Sequence, residues 1–337
     1  MIVCLYGKTC ADFVEPVALD LEHVAKILGT AIVPLTVEDA IAAPWRWREV
    51  ERVYVLPFDV PRQLPPLLEA GATALVSNLF PRAELVNPFA VQELCWDKLA
   101  TAQRLLARGV PMPDSLITDL ADDARQFIHE HEHAILKATH SCGGEGHVVV
   151  FPDDEGNIVG ETHGRRYVIE FQSSGSTPTL SSGILSWPPP FYLQRLVADV
   201  NRRGVLVPAQ ILRAYVVNGQ ILFWTERYRE RCHRPSDFII NIGLGAKYRF
   251  LPNVSEEARK AALRAAEVLG VRIGAVDLIR TGSEGPYVLE VDTDGYHMII
   301  DRQFKRMPAF RPQFDFDRFI AEAIIAPPAA IGTRVHA

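Results

Sequence analysis

Residues 274–292 read GAVDLIRTGSEGPYVLEVD and contain two apolar runs separated by a turn-forming Gly-Ser-Glu-Gly segment. Each run has the length and apolar content of a buried strand, and the turn residues between the runs predict a strand pair. Asp277 interrupts the first run, while Glu290 and Asp292 stand two residues apart in the second. Because alternate residues of a strand face the same side, Glu290 and Asp292 are expected to point together, with Asp277 beside them.

These three carboxylates predict a cation site. An unpaired carboxylate inside an apolar strand is costly, and three close together repel one another unless positive charge lies between them. Hard oxygen ligands favour magnesium, which proteins commonly hold through a few carboxylates together with nucleotide phosphates. The sequence leaves one alternative open, in which each carboxylate is paired with an arginine or with backbone N–H groups.

A second pattern lies at residues 134–151, AILKATHSCGGEGHVVVF, which is expected to form a hairpin with a glycine-rich tip. Gly143, Gly144 and Gly146 would let backbone N–H groups approach a phosphate without obstruction by side chains. Lys137, on the strand before the loop, would supply a fixed charge to the same phosphate. The loop joins two strands and no G-K-[ST] follows, so it is not a Walker loop. A glycine-rich hairpin without a ligand is the alternative.

A third pattern is an arginine inside an apolar strand. Arg213 interrupts the run ILRAYVV at 211–217, and Asn218-Gly219 then predicts a two-residue hairpin turn into the next strand. A planar guanidinium binds a carboxylate or phosphate through two parallel hydrogen bonds. More arginines follow the hairpin, and a solvated charged face is the alternative for any one of them. Arg213 is the best functional candidate because its neighbours are apolar.

The remaining sequence indicates how these patterns are organised. Strands alternating with helices over residues 1–90 predict a parallel, doubly wound sheet, with 74–77 among its strands. A single long helix is expected at 88–109 because its apolar residues recur at helical spacing between a proline and a glycine. Residues 171–190, rich in Ser, Pro and Gly, are expected to be irregular. A closing helix is expected at 316–325.

Composition excludes several classes of protein. The chain of 337 residues has a formal net charge of −6, which argues against general binding of nucleic acid. Its five cysteines are odd in number and include no C-x-x-C pair, so neither a disulfide framework nor a zinc site is indicated. No apolar run is long enough to span a membrane, and the first residues do not read as a signal peptide. We therefore expect a cytoplasmic protein without membrane or nucleic-acid partners.

The order of motifs along the chain is specific. Asp97-Lys98 in a helix is followed by GVPMPDS, ILKATHSCGGEGHVVV, YLQRLVADV, ILRAYVVNGQ, DFIINIGLGA, IGAVDLI and YVLEVD. This order, over about residues 85–325, resembles the ATP-grasp superfamily, and most closely ligases such as glutathione synthetase and the RimK-type glutamate ligases. The resemblance implies a protein of the α/β class, in which an N-terminal doubly wound domain precedes an α+β ATP-grasp fold. The expected parts are the N-terminal domain (1–90), a central ATP-grasp subdomain with the glycine-rich loop (91–192) and a C-terminal subdomain with the metal and substrate site (193–337).

The resemblance also assigns roles to individual residues. Those implied to contact the ATP phosphates are Lys98, Lys137, Gly143, Gly144 and Gly146. Those implied to bind the adenine edge through the main chain are Gln194, Arg195, Leu196 and Val197, with Asp199 on the ribose hydroxyls. Those implied to lie near the transferred phosphoryl group are Arg213 and Asn241. The implied Mg²⁺ ligands are Asp277, Glu290 and Asp292, where Asp292 departs from the asparagine usual in relatives but still offers oxygen ligands.

The implied activity is ligation of a carboxylate to an amine, with ATP and Mg²⁺ as cofactors and an acyl phosphate as intermediate. The resemblance points to small-molecule or peptide carboxylate and amine substrates, and it leaves a homodimer open. It does not identify the acid or the amine. Two other functions fit the same motifs: a small-molecule kinase that stops at a phosphate ester, and a nucleotide-binding regulatory protein without turnover.

Overall fold

A computed structural model describes residues 1–7, 11–56, 72–139, 146–175, 177–200, 206–230, 232–241, 245–293 and 316–326. Its first sheet lies near the N-terminus and is parallel throughout, with the order β2-β1-β3-β4. The strands are β1 (Ile2–Tyr6), β2 (Ile32–Thr36), β3 (Arg52–Val55) and β4 (Glu84–Val86). Every side chain of β1 is buried, as expected for a parallel strand covered on both faces. The predicted parallel sheet is confirmed.

Helices α1 (Ala11–Ile27), α2 (Val37–Ala42) and α3 (Ala72–Leu79) belong to this first unit. The strand predicted at 74–77 is wrong, because these residues lie inside α3. A short apolar run does not distinguish strand from helix by periodicity, and the alanines and leucines of α3 are good helix formers.

The helix predicted at 88–109 is two helices, α4 (Phe89–Trp96) and α5 (Lys98–Ala107). Asp97 lies between them with extended backbone, and its carboxylate accepts hydrogen bonds from the amides of Leu99 and Ala100, both at 3.0 Å. An aspartate in this position caps a new helix. Lys98 therefore begins α5, and its amide donates to the carbonyl of Thr139 at 3.0 Å.

The second sheet has the order β10-β11-β9-β8-β7-β6-β12-β5. Its strands are β5 (Ser115–Thr118), β6 (Ala134–Lys137), β7 (His147–Pro152), β8 (Ile158–Thr162), β9 (Arg165–Phe171), β10 (Thr179–Ser181), β11 (Ile184–Trp187) and β12 (Phe191–Arg195). Helix α6 (Ala121–His131) packs on it. The predicted β6–β7 hairpin is confirmed. The irregular segment predicted at 171–190 is wrong in part, because β10 and β11 pair within it.

The C-terminal sheet is antiparallel, with the order β17-β16-β15-β18-β19. Its strands are β15 (Gln210–Val217), β16 (Gln220–Tyr228), β17 (Lys247–Leu251), β18 (Ile273–Arg280) and β19 (Tyr287–Asp292). The short pair β13 (Ala198–Val200) and β14 (Leu206–Pro208) precedes it. The predicted turn at Asn218-Gly219 is confirmed, with φ of 47° and 74° at the two residues.

Two helices complete the packing around these sheets. Helix α7 (Glu256–Leu269) begins after Ser255, whose hydroxyl accepts from the amide of Ala258, and covers one face of the C-terminal sheet. The last helix, α8 (Phe316–Ile325), returns to the first sheet and buries Ile320 and Ile324 in its core. The boundaries predicted at 90 and 192 stay predictions, and the second falls inside β12. Within the described ranges, no helix has the length and apolar content to cross a membrane.

One polar contact ties the second sheet to a 3₁₀ helix at Pro235–Phe238, which follows β16. The buried Glu161 carboxylate, on β8, accepts hydrogen bonds from the Ser236 amide at 3.1 Å and the Ser236 hydroxyl at 2.7 Å. The amide of Gly164 donates to the same hydroxyl at 3.3 Å. Apolar residues on both sides pack beside this contact, including Phe151 and Ile239.

Candidate functional site

The strand register of the C-terminal sheet brings the predicted acidic residues together. Arg213 on β15 pairs with Asp277 on β18, and Asp277 pairs with Glu290 on β19. Asp292, two residues further along β19, lies on the same face. Ligand oxygens of the three carboxylates lie within 4.8 Å of one another.

Two arginines hold the buried Asp277. The Arg213 guanidinium donates to both of its oxygens, Nε to Oδ1 at 2.6 Å and Nη2 to Oδ2 at 3.0 Å, and also donates to Asp292. Arg227 on β16 lies 3.2 Å from Asp277 Oδ2. Burial acts to lower the pKa of Arg213, but the charges of Asp277 and Asp292 outweigh it and hold that pKa well above its ordinary value. The arginine is therefore a permanent cation at the base of the site.

Glu290 is held by the lysine that begins α5. Lys98 Nζ lies 3.2 Å from Glu290 Oε2. Burial acts to raise the pKa of Glu290, but the charge of Lys98, helped by Arg213 and Lys137, keeps this pKa well below its ordinary value. Glu290 is therefore an anion at neutral pH, available to a cation.

Lys137, at the end of β6, is buried in the second sheet. Its Nζ donates to Gln194 Oε1 at 2.5 Å and lies 5.4 Å from the centre of the Tyr192 ring. Burial, with a further contribution from the charge of Lys98, lowers the pKa of Lys137 to about 8, although Glu290 acts in the opposite direction. Among the described residues this buried ammonium has one hydrogen-bond acceptor, Gln194, which leaves donor capacity for an anionic ligand.

His147 begins β7 and pairs directly with Lys137 across the hairpin. Its Nε2 is buried and has no hydrogen-bond partner within the described part of the chain. Burial, together with the charges of Lys137 and Lys98, lowers the pKa of His147 to about 3. The imidazole is therefore uncharged at neutral pH.

A cleft runs between the second and C-terminal sheets, and its volume is about 700 Å³ when the solvent at its open side is included. One end is apolar and is lined by Ile135, Leu196, Val197, Phe238, Ile239 and Ile279. The other end is charged and is lined by Lys137, His147, Arg227, Asp277 and Glu290. An apolar slot that leads to a cluster of cations and carboxylates suits a ligand with a flat apolar part and an anionic tail.

The residues predicted to bind adenine lie along this cleft, although two of their amides are already paired. The amide of Arg195 donates to Asp114 O at 2.8 Å, and that of Leu196 donates to His133 O at 3.1 Å. The Arg195 side chain forms two hydrogen bonds with Glu284, at 3.0 and 2.6 Å. The main-chain role of this segment stays a prediction.

Asp199, predicted to bind ribose, contacts the turn between β18 and β19. Its carboxylate accepts from the amide of Gly282 at 2.7 Å and from the hydroxyl of Ser283. Hydrogen bonds from Ser283 and its neighbours lower the pKa of Asp199. A ribose would have to compete with this turn, and the assignment stays a prediction.

The structure places two further predicted residues. Asn241 lines the cleft, and its carbonyl accepts from the amide of Ala246 at 3.0 Å. Gly146 has φ of 72°, a conformation that favours glycine, and its carbonyl accepts from the amide of Ala138 at 2.9 Å. Gly143 and Gly144 lie outside the described residues.

The carboxylate cluster suits a hard divalent cation. Three carboxylates with oxygens within 4.8 Å of one another form an oxygen-only donor set of the kind that magnesium accepts. The alternative from the sequence, pairing with arginine, is also realised, because Arg213 contacts both Asp277 and Asp292. The two are compatible, since carboxylates can accept several partners.

Sequence reasoning underestimated Arg227 and did not consider His147. Both line the cleft. Arg227 was one of several arginines after the hairpin, and only the strand register separates it from the others. The signal for His147 was its place at the end of the glycine-rich hairpin, on the strand that pairs with Lys137.

The order of motifs predicts an ATP-grasp protein, and a comparison with family models agrees with this prediction over part of the chain. A family model described as the RimK-like ATP-grasp domain matches residues 206–306. This range carries Arg213, Asp277, Glu290 and Asp292. Residues 206–306 are therefore classed with the RimK-like ATP-grasp domain.

Named relatives agree with this classification. The chain is 25% identical over 209 residues to the tetrahydromethanopterin:α-L-glutamate ligase of Methanocaldococcus jannaschii, which covers 62% of each protein. It is 28% identical over 196 residues to a probable α-L-glutamate ligase of Xylella fastidiosa, which covers 58% of this chain and 54% of that relative. The chain thus spans less than two thirds of the length of either relative.

Among solved structures, the fold is similar to that of a RiPP-associated ATP-grasp ligase from Chryseobacterium gregarium. The TM-score is 0.58, with 97% of each chain covered and 13% sequence identity. That structure contains ADP with a leader and a core peptide. At this identity the likeness concerns the fold alone.

Proposed function

We propose that this protein is an ATP-dependent ligase that joins a carboxylate to an amine. The observation that carries the proposal is the cleft itself. Its apolar end has a lining suited to a nucleotide base, and its charged end is lined by Lys137, Arg227, Asp277 and Glu290. Lys98 and Arg213 contact these carboxylates, and Asp292 completes the carboxylate cluster. Phosphoryl transfer depends mainly on positioning and on neutralising charge, which is what this set of residues offers.

Residues in different parts of the cleft would contact different parts of ATP. Ile135, Leu196 and Ile239 would hold the adenine, while Lys98 and Lys137 would approach the phosphates from α5 and from β6. Magnesium, held by Asp277, Glu290 and Asp292, would neutralise phosphate charge when bound. Arg213 and Asn241 would face the phosphoryl group that is transferred.

The reaction has two steps. An oxygen of the substrate carboxylate attacks the γ-phosphorus of ATP, the bond to the bridging oxygen breaks, and ADP leaves with that electron pair. The amine nitrogen then attacks the acyl carbon, loses a proton and displaces inorganic phosphate, which leaves an amide. Fixed cations such as Arg213 favour the first step because charge builds on the transferred group in the transition state.

The names of the relatives indicate which substrates to test first. Both curated relatives are named α-L-glutamate ligases, and a structure of similar fold holds peptides. We therefore propose an amino acid as the amine, beginning with L-glutamate, and either a small molecule or a peptide as the acid.

The experiment is a screen for ADP release with ATP, Mg²⁺ and pairs of candidate acids and amines, followed by mass measurement of the product. A ligase gives an amide and one phosphate for each ADP, whereas a kinase gives a stable phosphate ester and no free phosphate. ATP binding without ADP release under any pair would instead favour a nucleotide-binding regulatory protein. Release of AMP and pyrophosphate would contradict the proposed chemistry.

A further inference from the structure

His147 occupies a position from which it can reach a bound nucleotide. It stands directly opposite Lys137 in an antiparallel pair, and directly opposed residues point to the same face of a sheet. Both side chains line the charged end of the cleft, together with Glu290. Whatever ligand the Lys137 ammonium binds is therefore next to the imidazole.

Within the residues that the structure describes, the His147 Nε2 also lacks a hydrogen-bond partner. An unpaired buried polar atom is costly, and each one in a native structure calls for an explanation. In the described part of the chain, several buried side-chain nitrogens and oxygens have no hydrogen-bond partner, among them Trp47 Nε1, Trp224 Nε1 and His147 Nε2. Of these residues, His147 is the one that lines the cleft. A ligand in the cleft is thus the natural partner.

We propose that His147 binds the phosphate chain of ATP, donating an imidazole N–H to a phosphate oxygen beside the Lys137 ammonium. This assignment rests on the proposed function, because it requires a nucleotide in the cleft. The phosphates are favoured over the base, since the positive charges of Lys137 and Lys98 act directly on His147, whereas the apolar lining residues pack in clusters that do not include it. An uncharged donor adds a hydrogen bond without adding to the repulsion between the two lysines.

Isothermal titration with ATP, ADP and adenosine, in the presence of Mg²⁺, tests the proposal without any acceptor substrate. His147→Val removes the donor, and we expect ATP and ADP to bind about tenfold more weakly or worse, the scale of a hydrogen bond to a charged group. Adenosine should bind as it does to the wild type. His147→Gln, which retains an N–H donor, should recover part of the loss. His129→Val, on the exposed face of α6, is the matched control.

Three results overturn the proposal while leaving the function standing: unchanged ATP affinity in His147→Val, an equal loss for adenosine, or no recovery in His147→Gln. If the wild type binds no nucleotide at all, the proposed function fails as well. Should the variants not fold, ¹⁵N-histidine NMR of the wild type replaces them. Addition of ATP should shift the Nε2 resonance of His147 strongly, addition of adenosine should not, and the absence of an ATP-dependent shift would refute the contact.

Discussion

The Arg213 guanidinium and the Asp277 carboxylate face each other across adjacent strands and form two parallel hydrogen bonds, at 2.6 and 3.0 Å. A third donation from Arg213 reaches Asp292. One planar group thus connects two of the proposed magnesium ligands. A lysine in the same place would keep the charge but could not reproduce the fork.

Arg213→Lys should therefore lower kcat by roughly a hundredfold, the scale seen when one preorganised donor is removed from a transition state. Affinity for ATP should change little, because the apolar slot and both lysines remain. The measurement is steady-state ADP release at saturating ATP, with Arg264→Lys on the exposed face of α7 as the control. Full kcat together with a lower melting temperature would show that Arg213 only supports the strand.

Glu290→Gln should abolish turnover and leave the fold intact. The change removes a charge from the cluster of carboxylates whose oxygens lie within 4.8 Å of one another, so binding of Mg²⁺ together with ATP should weaken. The readouts are ADP release and a Mg²⁺ titration of the ATP-loaded protein. Glu267→Gln, on α7, is the control, and near-normal activity in Glu290→Gln would remove this residue from the metal site.

Magnesium should bind weakly in the absence of nucleotide. Asp277 and Asp292 already contact Arg213, and Glu290 contacts Lys98, so an added cation meets positive charge as well as its ligands. The phosphates of ATP offset that charge, and the two ligands should therefore bind cooperatively. Calorimetric titration of Mg²⁺ with and without a non-hydrolysable ATP analogue measures the coupling. Equal affinities in the two titrations would contradict it.

Lys137→Ala should weaken ATP binding by roughly 1–3 kcal/mol, the value of a charge-assisted hydrogen bond lost from a site that still holds the nucleotide. Lys98→Ala should act in the same direction, since this lysine lies beside Glu290 at 3.2 Å. Titration with ATP measures both, with Lys260→Ala on exposed α7 as the control. If neither variant loses affinity, the two lysines do not bind the phosphates.

Lys137 should also make ATP binding depend on pH. Burial lowers its pKa from the ordinary 10.5 to about 8, so the free protein loses this charge as the pH rises through 8. ATP affinity should then fall, approaching about tenfold per pH unit if one proton must be taken up on binding. Lys137→Arg keeps its charge throughout this range and should abolish the dependence.

The same shift has the opposite effect on folding stability. Because the folded pKa of Lys137 lies below the unfolded value, the unfolded chain binds more protons between pH 8 and 10.5. Stability from this group therefore rises with pH across that window. Denaturant titrations measure the free energy of unfolding of the wild type and of Lys137→Met at pH 8 and pH 10. The difference between the two proteins should be smaller at pH 10.

The sequence predicted the three carboxylates of the site but not the second arginine, Arg227. The apolar runs with Asp277, Glu290 and Asp292 defined two strands, but the pairing of Asp277 with Glu290 also depends on a register shift between Asp277 and Leu278. The place of Arg227 could not be predicted in this way. An unbroken two-residue hairpin at Asn218-Gly219 would put Arg213 opposite Trp224, and Arg227 on the other face of the sheet.

A bulge between Tyr215 and Val216 changes that register. It pairs Arg213 with Thr225, and so turns Arg227 toward Asp277. One inserted residue moves every later side chain to the opposite face. A bulge leaves no clear mark in a single sequence, so the second arginine of the site appears only in the structure. The break at Asp97 is similar, because helical spacing continues across it.

The contact between Glu161 and Ser236 has a mechanical consequence for the cleft. Phe238 and Ile239, which line the apolar slot, follow Ser236 in the chain, yet Ser236 is fastened to the second sheet. This short strap is thus anchored at one end to β8 and runs on at the other end toward β17. Separation of the two sheets would therefore strain this segment and distort the apolar slot. In the proposed ligase, exchange of ADP for ATP would therefore depend on the two hydrogen bonds between Glu161 and Ser236.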